Sequence, residues 1–356
     1  MKLKNIRVLV LIFGLIFGTL SISSLNAQVQ DPSQVVEALA REFIPSQILS
    51  ILKSGLDTRT ANTGIPFDIF KSLYLPAAQQ YMHGVFFFKC KNSDLDFQGA
   101  AKPAAEEVSA FESTPTQLIS RNNIYLYFKQ LDGDYEKQTQ VPFNQKADGL
   151  TFTPEEEVYY SIGYPLPPGD YVLAMAISSP DYSKVGTQYY EFSLPSAAAF
   201  TEIDISPVFF VTKSSQISAV EMSAEVHKSF FTYGIYQLEP NLNHLFSPGD
   251  NMDLFFVIFG TQANAEGKYD IEIKLSINQG EQIVALYDPL SKDRPAFWEQ
   301  FPMKRPVSVP TKDAEGNETE NTEFHNLEPG AYTVTIEIKD LLSGKAATKT
   351  VEIEVR

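Results

Sequence analysis

The chain is 356 residues long, with 44 acidic against 28 basic side chains and a formal net charge of −16. A surface of that sign repels nucleic acid and anionic membranes and favours solubility outside the cell. A single cysteine, Cys90, excludes a disulfide within the chain, so 26 Phe and 17 Tyr must supply the buried apolar surface that holds the fold.

Residues 1–27 have the layout of an export signal. Lys2, Lys4 and Arg7 make a basic start, Val8 to Leu20 is apolar, and Leu25-Asn26-Ala27 places a small residue before Gln28. The run is too short to span a bilayer, so cleavage after Ala27 is expected. No Cys stands at the cleavage point to carry a lipid, and no later segment is long and apolar enough to cross a membrane. Residues 28–56 carry helical periodicity. Asp31-Pro32 suits an N-cap and first turn, and Val35, Val36, Leu39 and Phe43 share a face. Pro45 ends that helix, and Ile48, Leu49 and Leu52 predict a second short one ending near Gly55.

Beyond Ile65 the periodicity is that of strands. A first domain over 57–195 has predicted strands at 67–75, 83–91, 122–130, 156–162, 170–178 and 187–194. Asp132-Gly133-Asp134 reads as a hairpin turn, and Gln98 to Thr116 as an exposed excursion. Cys90 follows Phe86 and Phe88 at a spacing of two, which makes it a small inward-facing hydrophobe. Pro195 to Ala199 reads as a linker. A second domain over 200–356 has predicted strands at 203–212, 253–260, 269–277, 282–287, 331–339 and 349–355. In YDIEIKLSI, Tyr269, Ile271, Ile273, Leu275 and Ile277 alternate with polar residues, as a half-buried antiparallel strand requires.

The two domains end alike. Leu166–Leu194 and Leu327–Val355 align without a gap and share eight identities, among them Leu166/Leu327, Pro168/Pro329, Gly169/Gly330 and Tyr171/Tyr332. Each copy reads as a Pro-Gly turn and a closing hairpin, with Tyr171, Leu173, Met175 and Ile177, or Tyr332, Val334, Ile336 and Ile338, facing a core. The opposite faces differ: Thr333, Thr335 and Glu337 suit water, while Val172, Ala174 and Ala176 do not require it. A cover over that face of the first domain, by residues 31–56 or by the second domain, is one reading; small apolar residues left exposed is the other. Many short strands without intervening helices predict a mainly β fold of two tandem sandwiches with a short N-terminal helical segment.

Leu166-Pro167-Pro168-Gly169-Asp170-Tyr171, the closing Tyr190-Glu191-Phe192 and Ile205-Ser206-Pro207-Val208 resemble the punctuation of bacterial immunoglobulin-like and fibronectin type III-like domains. More narrowly, 67–211 looks like uncharacterised exported proteins of Acidobacteria-type bacteria, some of which join such modules to a von Willebrand A or GWxTD domain. Neither companion domain's motif occurs here. The resemblance implies Ig/FnIII-like antiparallel sandwiches in the periplasm or at the surface of a bacterium, and transfers no catalytic residue.

Motifs for chemistry are absent from the sequence. There is no G-x-S-x-G elbow, and His83, His227, His244 and His325 stand singly rather than as H-E-x-x-H. Ser343-Gly344-Lys345 lacks the upstream glycine of a phosphate loop and reads as a hairpin turn. Asp132, Asp134 and Asp250 lack a calcium-loop ladder, and Glu155–Glu157 and Glu318 to Glu323 lie in loops or strand edges. No metal, cofactor or catalytic residue is therefore assigned. The candidate binding surface is a proline-rich loop over Asp288 to Pro310, with Arg294, Phe297, Trp298, Phe301 and Arg305. Aromatic and arginine side chains concentrate binding energy; alternatively, Phe297 and Trp298 plug the open end of the second core. The expected role is a non-catalytic interaction or structural module with a protein partner. A glycan-binding accessory protein is the first alternative, and a hydrolase with an acidic site between the domains the second.

Overall fold

The computed structural model describes residues 43–99, 117–196, 201–218, 224–312 and 318–356. The predicted export signal, the helix expected before Pro45 and nearly all of the 98–116 excursion lie outside these residues. Helix α1 (Ser46–Gly55) follows Pro45, whose carbonyl accepts a hydrogen bond from the Leu49 amide at 2.9 Å. Its Ile48, Leu52 and Gly55 repeat at helical spacing and form its buried face.

The first half continues through β1 (Asp68–Pro76), β2 (Met82–Lys91), β3 (Gln98–Gly99), β4 (Gln117–Gln130), β5 (Glu136–Asp148), β6 (Glu157–Leu166), β7 (Gly169–Ser178) and β8 (Val185–Leu194). The second half adds β9 (Asp204–Ile205), β10 (Phe209–Gln216), β11 (Val226–Lys228), β12 (Phe231–Tyr233), β13 (Tyr236–Pro240), β14 (Leu245–Phe246) and β15 (Asn251–Phe259). Then come β16 (Ile271–Gln279), β17 (Gln282–Leu286), β18 (Leu290–Lys292), β19 (Ala296–Pro302), β20 (Lys304–Lys312), β21 (Glu318–Asn326), β22 (Gly330–Asp340) and β23 (Ala346–Val355). The fold is mainly β, as composition and periodicity predict.

Both halves use one plan. In the first, β1-β2-β6 faces β5-β4-β7-β8; in the second, β10-β15-β19 faces β17-β16-β22-β23. The repeated hairpins share their register: Tyr171 lies opposite Phe192 and Leu173 opposite Tyr190, as Tyr332 lies opposite Ile353 and Val334 opposite Val351. The Tyr171 hydroxyl donates to the Pro167 carbonyl at 2.8 Å, and the Tyr332 hydroxyl to the Glu328 carbonyl at 2.8 Å. Each tyrosine thus ties its strand to the turn four residues upstream. Gly169 and Gly330 hold φ of +151° and +157°, and a Cβ there would meet the Gln130 and Gln279 amides at 2.4 and 3.2 Å. These glutamines end β4 and β16, the equivalent neighbours of the two hairpins.

The halves differ in what covers them. Ile44, Ile48, Leu52 and Leu56 of the α1 region pack on Tyr125, Tyr127, Val172, Ala174 and Ala176, so the outer face of the first half is roofed by the helix. At the corresponding positions of the second half, Thr333 and Thr335 are half-buried and Glu337 is exposed.

A third apolar layer joins the halves. The runs VFFFKC (85–90), FFV (209–211) and LFFVIF (254–259) do not alternate, because both faces of these strands are buried. Phe210, Leu254, Phe256 and Ile258 enter the core of the second half. Phe209, Val211, Phe255, Val257 and Phe259 enter the cluster that contains the first half's core. Phe87 meets Phe231 edge to face at 6.0 Å, and Phe231 meets Phe209 at 5.4 Å. The chain between β10 and β15 reinforces this junction. β11 pairs with β6, setting Val226 opposite Ile162, and extends the sheet of the first half. The Tyr233 hydroxyl donates to the Pro76 carbonyl at 2.8 Å, and the Ser161 hydroxyl to the Phe230 carbonyl at 2.5 Å. The molecule is therefore a stack of one helix and four sheets. The ribbon β20-β21 is a separate two-stranded sheet, with β20 running beside β17.

Candidate functional site

The segment 288–310, expected as a loop, forms β18, β19 and most of β20. Its prolines hid this: Pro302 closes β19, while Pro306 and Pro310 lie in the ribbon. In β19 the sequence AFWEQFP alternates, and that alternation sorts the candidate residues. Phe297 and Phe301 face inward, where Phe297 stacks on Phe256 at 4.6 Å; they are 0% and 6% exposed. Trp298 projects from the opposite face, half-buried, edge-on to Tyr236 at 5.3 Å and Phe255 at 5.7 Å. Arg294 Nε lies 3.3 Å from Asp293 Oδ1, and Arg305 Nη2 lies 3.7 Å from Glu328 Oε1. The structure brings Phe297 and Phe301 together in the core of the second half. It sets Trp298 in the layer between the halves and leaves the two arginines partly or wholly exposed.

Between the halves, where a cleft would have to open, the rings of Phe87, Phe209, Phe231 and Phe255 fill the space. The polar geometry of the junction lies at its rim. Lys71 Nζ donates to the Leu242 carbonyl at 3.3 Å and lies 3.4 Å from His244 Nε2. His244 Nδ1 lies 3.0 Å from the Glu352 carbonyl. With Lys71 charged, both contacts are satisfied when Nδ1–H donates to the carbonyl and the Nε2 lone pair accepts from the ammonium, which leaves the imidazole neutral. Burial lowers the His244 pKa and the Lys71 charge lowers it further; burial alone lowers that of Lys71. The backbone agrees with a fixed role, since His244 has φ of +55° and its carbonyl accepts from the Glu354 amide at 3.0 Å. Asn243, His244, Tyr332, Thr333 and Glu352 line an open groove of about 520 Å³ beside this pair. Sequence spacing carried no sign of it, because Lys71 and His244 are 173 positions apart.

Other titratable groups hold turns and strand edges. Asp340 is fully buried. Burial pushes its pKa up, but hydrogen bonds from Ser343 Oγ and the Gln262, Leu342 and Ser343 amides outweigh that and hold the carboxyl below its ordinary value. Lys89 pairs with Glu157 at 3.0 Å and Lys91 with Glu155 at 2.8 Å at the adjoining ends of β2 and β6. The Asp250 carboxylate accepts from the Ser247 amide at 2.7 Å within a turn. Cys90 is 3% exposed, and burial, followed by the nearby charges of Asp94 and Glu157, pushes its thiol up to about 12. A thiol so disposed is not a nucleophile at neutral pH. Among the described residues, no group of three or more His, Cys, Asp and Glu could hold a metal ion. No described helix is long and apolar enough to cross a membrane.

No protein-family model matches the chain, and no curated protein matches it. Among solved structures it is similar to dimeric latent PorU from Porphyromonas gingivalis, at 7% identity and a TM-score of 0.30, over 82% of this chain and 20% of that one. It is also similar to the M60 catalytic domain with CBM51-1 and CBM51-2 of ZmpB from Clostridium perfringens, at 10% identity and a TM-score of 0.12, over 81% and 40% of the two chains. Both likenesses are to parts of longer proteins, and at these scores neither speaks to an activity.

Proposed function

We propose that this chain is a non-catalytic interaction or structural module of a bacterial envelope, built from two tandem immunoglobulin/fibronectin type III-like sandwiches and exported by its first 27 residues. The three-plus-four strand order of each half, with a tyrosine tied to the turn before its strand, supports the fold assignment. The apolar layer between the halves carries the functional reading. It fills the space between the halves where the hydrolase alternative would need a cleft, which supports the non-catalytic reading, and it joins the halves into one body suited to holding a surface in a fixed orientation. The position of Trp298, edge-on and half-buried, does not favour a flat sugar platform. The test is affinity capture of the mature protein from its own envelope extract, followed by reconstitution with the purified partner. A reproducible one-to-one complex supports the reading. Turnover in a broad hydrolase screen, abolished by substituting a carboxylate, would overturn it.

A further inference from the structure

The ribbon β20-β21 leaves the core of the second half at Met303 and Leu327. There the Leu327 amide donates to the Met303 carbonyl at 3.2 Å, and both side chains are buried. Beyond that base the whole of 321–326 is exposed, Phe324 to 67%. A two-stranded ribbon is marginally stable by itself, and an unpaired strand edge is a template for another strand.

The two edges of the ribbon are not equivalent. Pro306 lies opposite Phe324, and Pro310 opposite Glu320. A proline is accommodated in a ladder where its missing N–H points away from the partner strand. Even-numbered residues of β20 therefore face its outer edge, which has no donor at 306 or 310. Directly opposed residues share one phase, so 318, 320, 322, 324 and 326 turn their N–H and C=O groups to the outer edge of β21. That edge contains no proline, and no described strand pairs with it.

We propose that this edge takes the same edge of a second copy of the chain. The two β21 strands join antiparallel about a two-fold axis at Thr322, making one four-stranded sheet in the order β20-β21-β21-β20. In that register 318 pairs with 326, 320 with 324 and 322 with its own copy, so every outward N–H and C=O of β21 finds a partner. Three observations select a second copy over a foreign strand. First, growth stops. Both open edges are consumed, and the new sheet ends on two proline-closed β20 edges. A foreign third strand would instead present a fresh open edge. Second, the ribbon is neutral in a chain of −16. Lys304, Arg305 and Lys312 balance Glu318, Glu320 and Glu323, so two copies meet here without the repulsion of their remaining surfaces. Third, the strand is compatible with its own reversal. Positions 318, 320 and 323, all glutamate, fall opposite Asn326, Phe324 and Asn321 of the copy, so no two carboxylates are opposed and Asn321 offers an amide donor to Glu323.

Sedimentation equilibrium of the mature protein should show monomer and dimer and no larger species. Thr322→Pro removes the N–H at the axis from both copies while sparing the β20 ladder, which does not use it, and should weaken dimerisation at least tenfold. Asn321→Glu keeps every backbone donor but opposes carboxylates across the axis, and should weaken it at least tenfold as well. Thr322→Cys should crosslink the dimer under mild oxidation, because opposed hydrogen-bonded Cα atoms lie about 5.5 Å apart. Ser308→Cys, one strand further out on each side, should not, and the buried Cys90 does not compete. A protein that stays monomeric at its solubility limit overturns the proposal. So does a dimer that both weakening substitutions leave intact, or one that Ser308→Cys crosslinks and Thr322→Cys does not. Crosslinking of the Thr322→Cys protein to an envelope protein instead of to itself would give the edge to a foreign strand and overturn it too. The dimer does not rest on the proposed interaction role, which capture and reconstitution of an envelope partner would support in either case.

Discussion

Tyr171 and Tyr332 make the same hydrogen bond in the two halves, and each is almost fully buried. Removing either hydroxyl leaves a backbone carbonyl short of one donor, so Tyr171→Phe and Tyr332→Phe should each lose about 1 kcal/mol in urea unfolding. Tyr125 gives the opposite expectation. Its buried hydroxyl has no partner within hydrogen-bond geometry, although Ser178 and Tyr182 are near enough to influence its ionisation. Tyr125→Phe should therefore leave stability unchanged or raise it slightly. His244 sets a pH dependence. Its folded-state pKa lies below the ordinary value of 6.5, so the unfolded chain takes up more protons than the folded one as the solution is acidified. Stability contributed by the neutral imidazole is complete above about pH 6.5 and is lost as pH falls through the lower folded value. The urea midpoint should drop across that window, and His244→Gln, which can still donate to Glu352 and accept from Lys71, should flatten its share of the drop.

Among the elements, α1 has the clearest cost. Leu52 is fully buried against the outer sheet, so Leu52→Ala should cost about 2–5 kcal/mol in chemical unfolding. A cover over Val172, Ala174 and Ala176 was one of two readings the sequence left open, and the structure supplies it with the α1 region. The strands of the repeated hairpins were legible too: one buried face imposes alternation on Tyr332 to Ile338, and the repeat carries the same reading to Tyr171 to Ile177, where both faces are buried. The segment 296–312 was not. Its prolines read as loop punctuation, yet they sit at a strand end and along an outer edge, where a missing N–H costs nothing. The run LFFVIF was recognised as a strand, but its lack of alternation was the unread sign of burial on both faces. The candidate residues shared that ambiguity. Phe297 and Trp298 are adjacent, and only the strand's pleat, invisible if the segment is a loop, sends one inward and the other outward.

At the scale of the whole molecule, the shared layer predicts joint unfolding. Phe87→Ala removes a ring that lies against Phe231 and should cost about 3–5 kcal/mol. Amide exchange in β4-β7 and in β16-β22 should accelerate together, with Trp298 fluorescence reporting the same transition. Two separated transitions in the unaltered protein would count against a common core. The position of β11 has a consequence for how the chain is made. The first half's sheet takes its last strand from residues 226–228, beyond its own closing hairpin. A polypeptide emerging from its N-terminus therefore passes through a stage in which the first sandwich is complete apart from one seam. The apolar face around Phe87 is also bare until the following segment arrives. A truncation after residue 196 should therefore aggregate although it contains all eight strands of the first half.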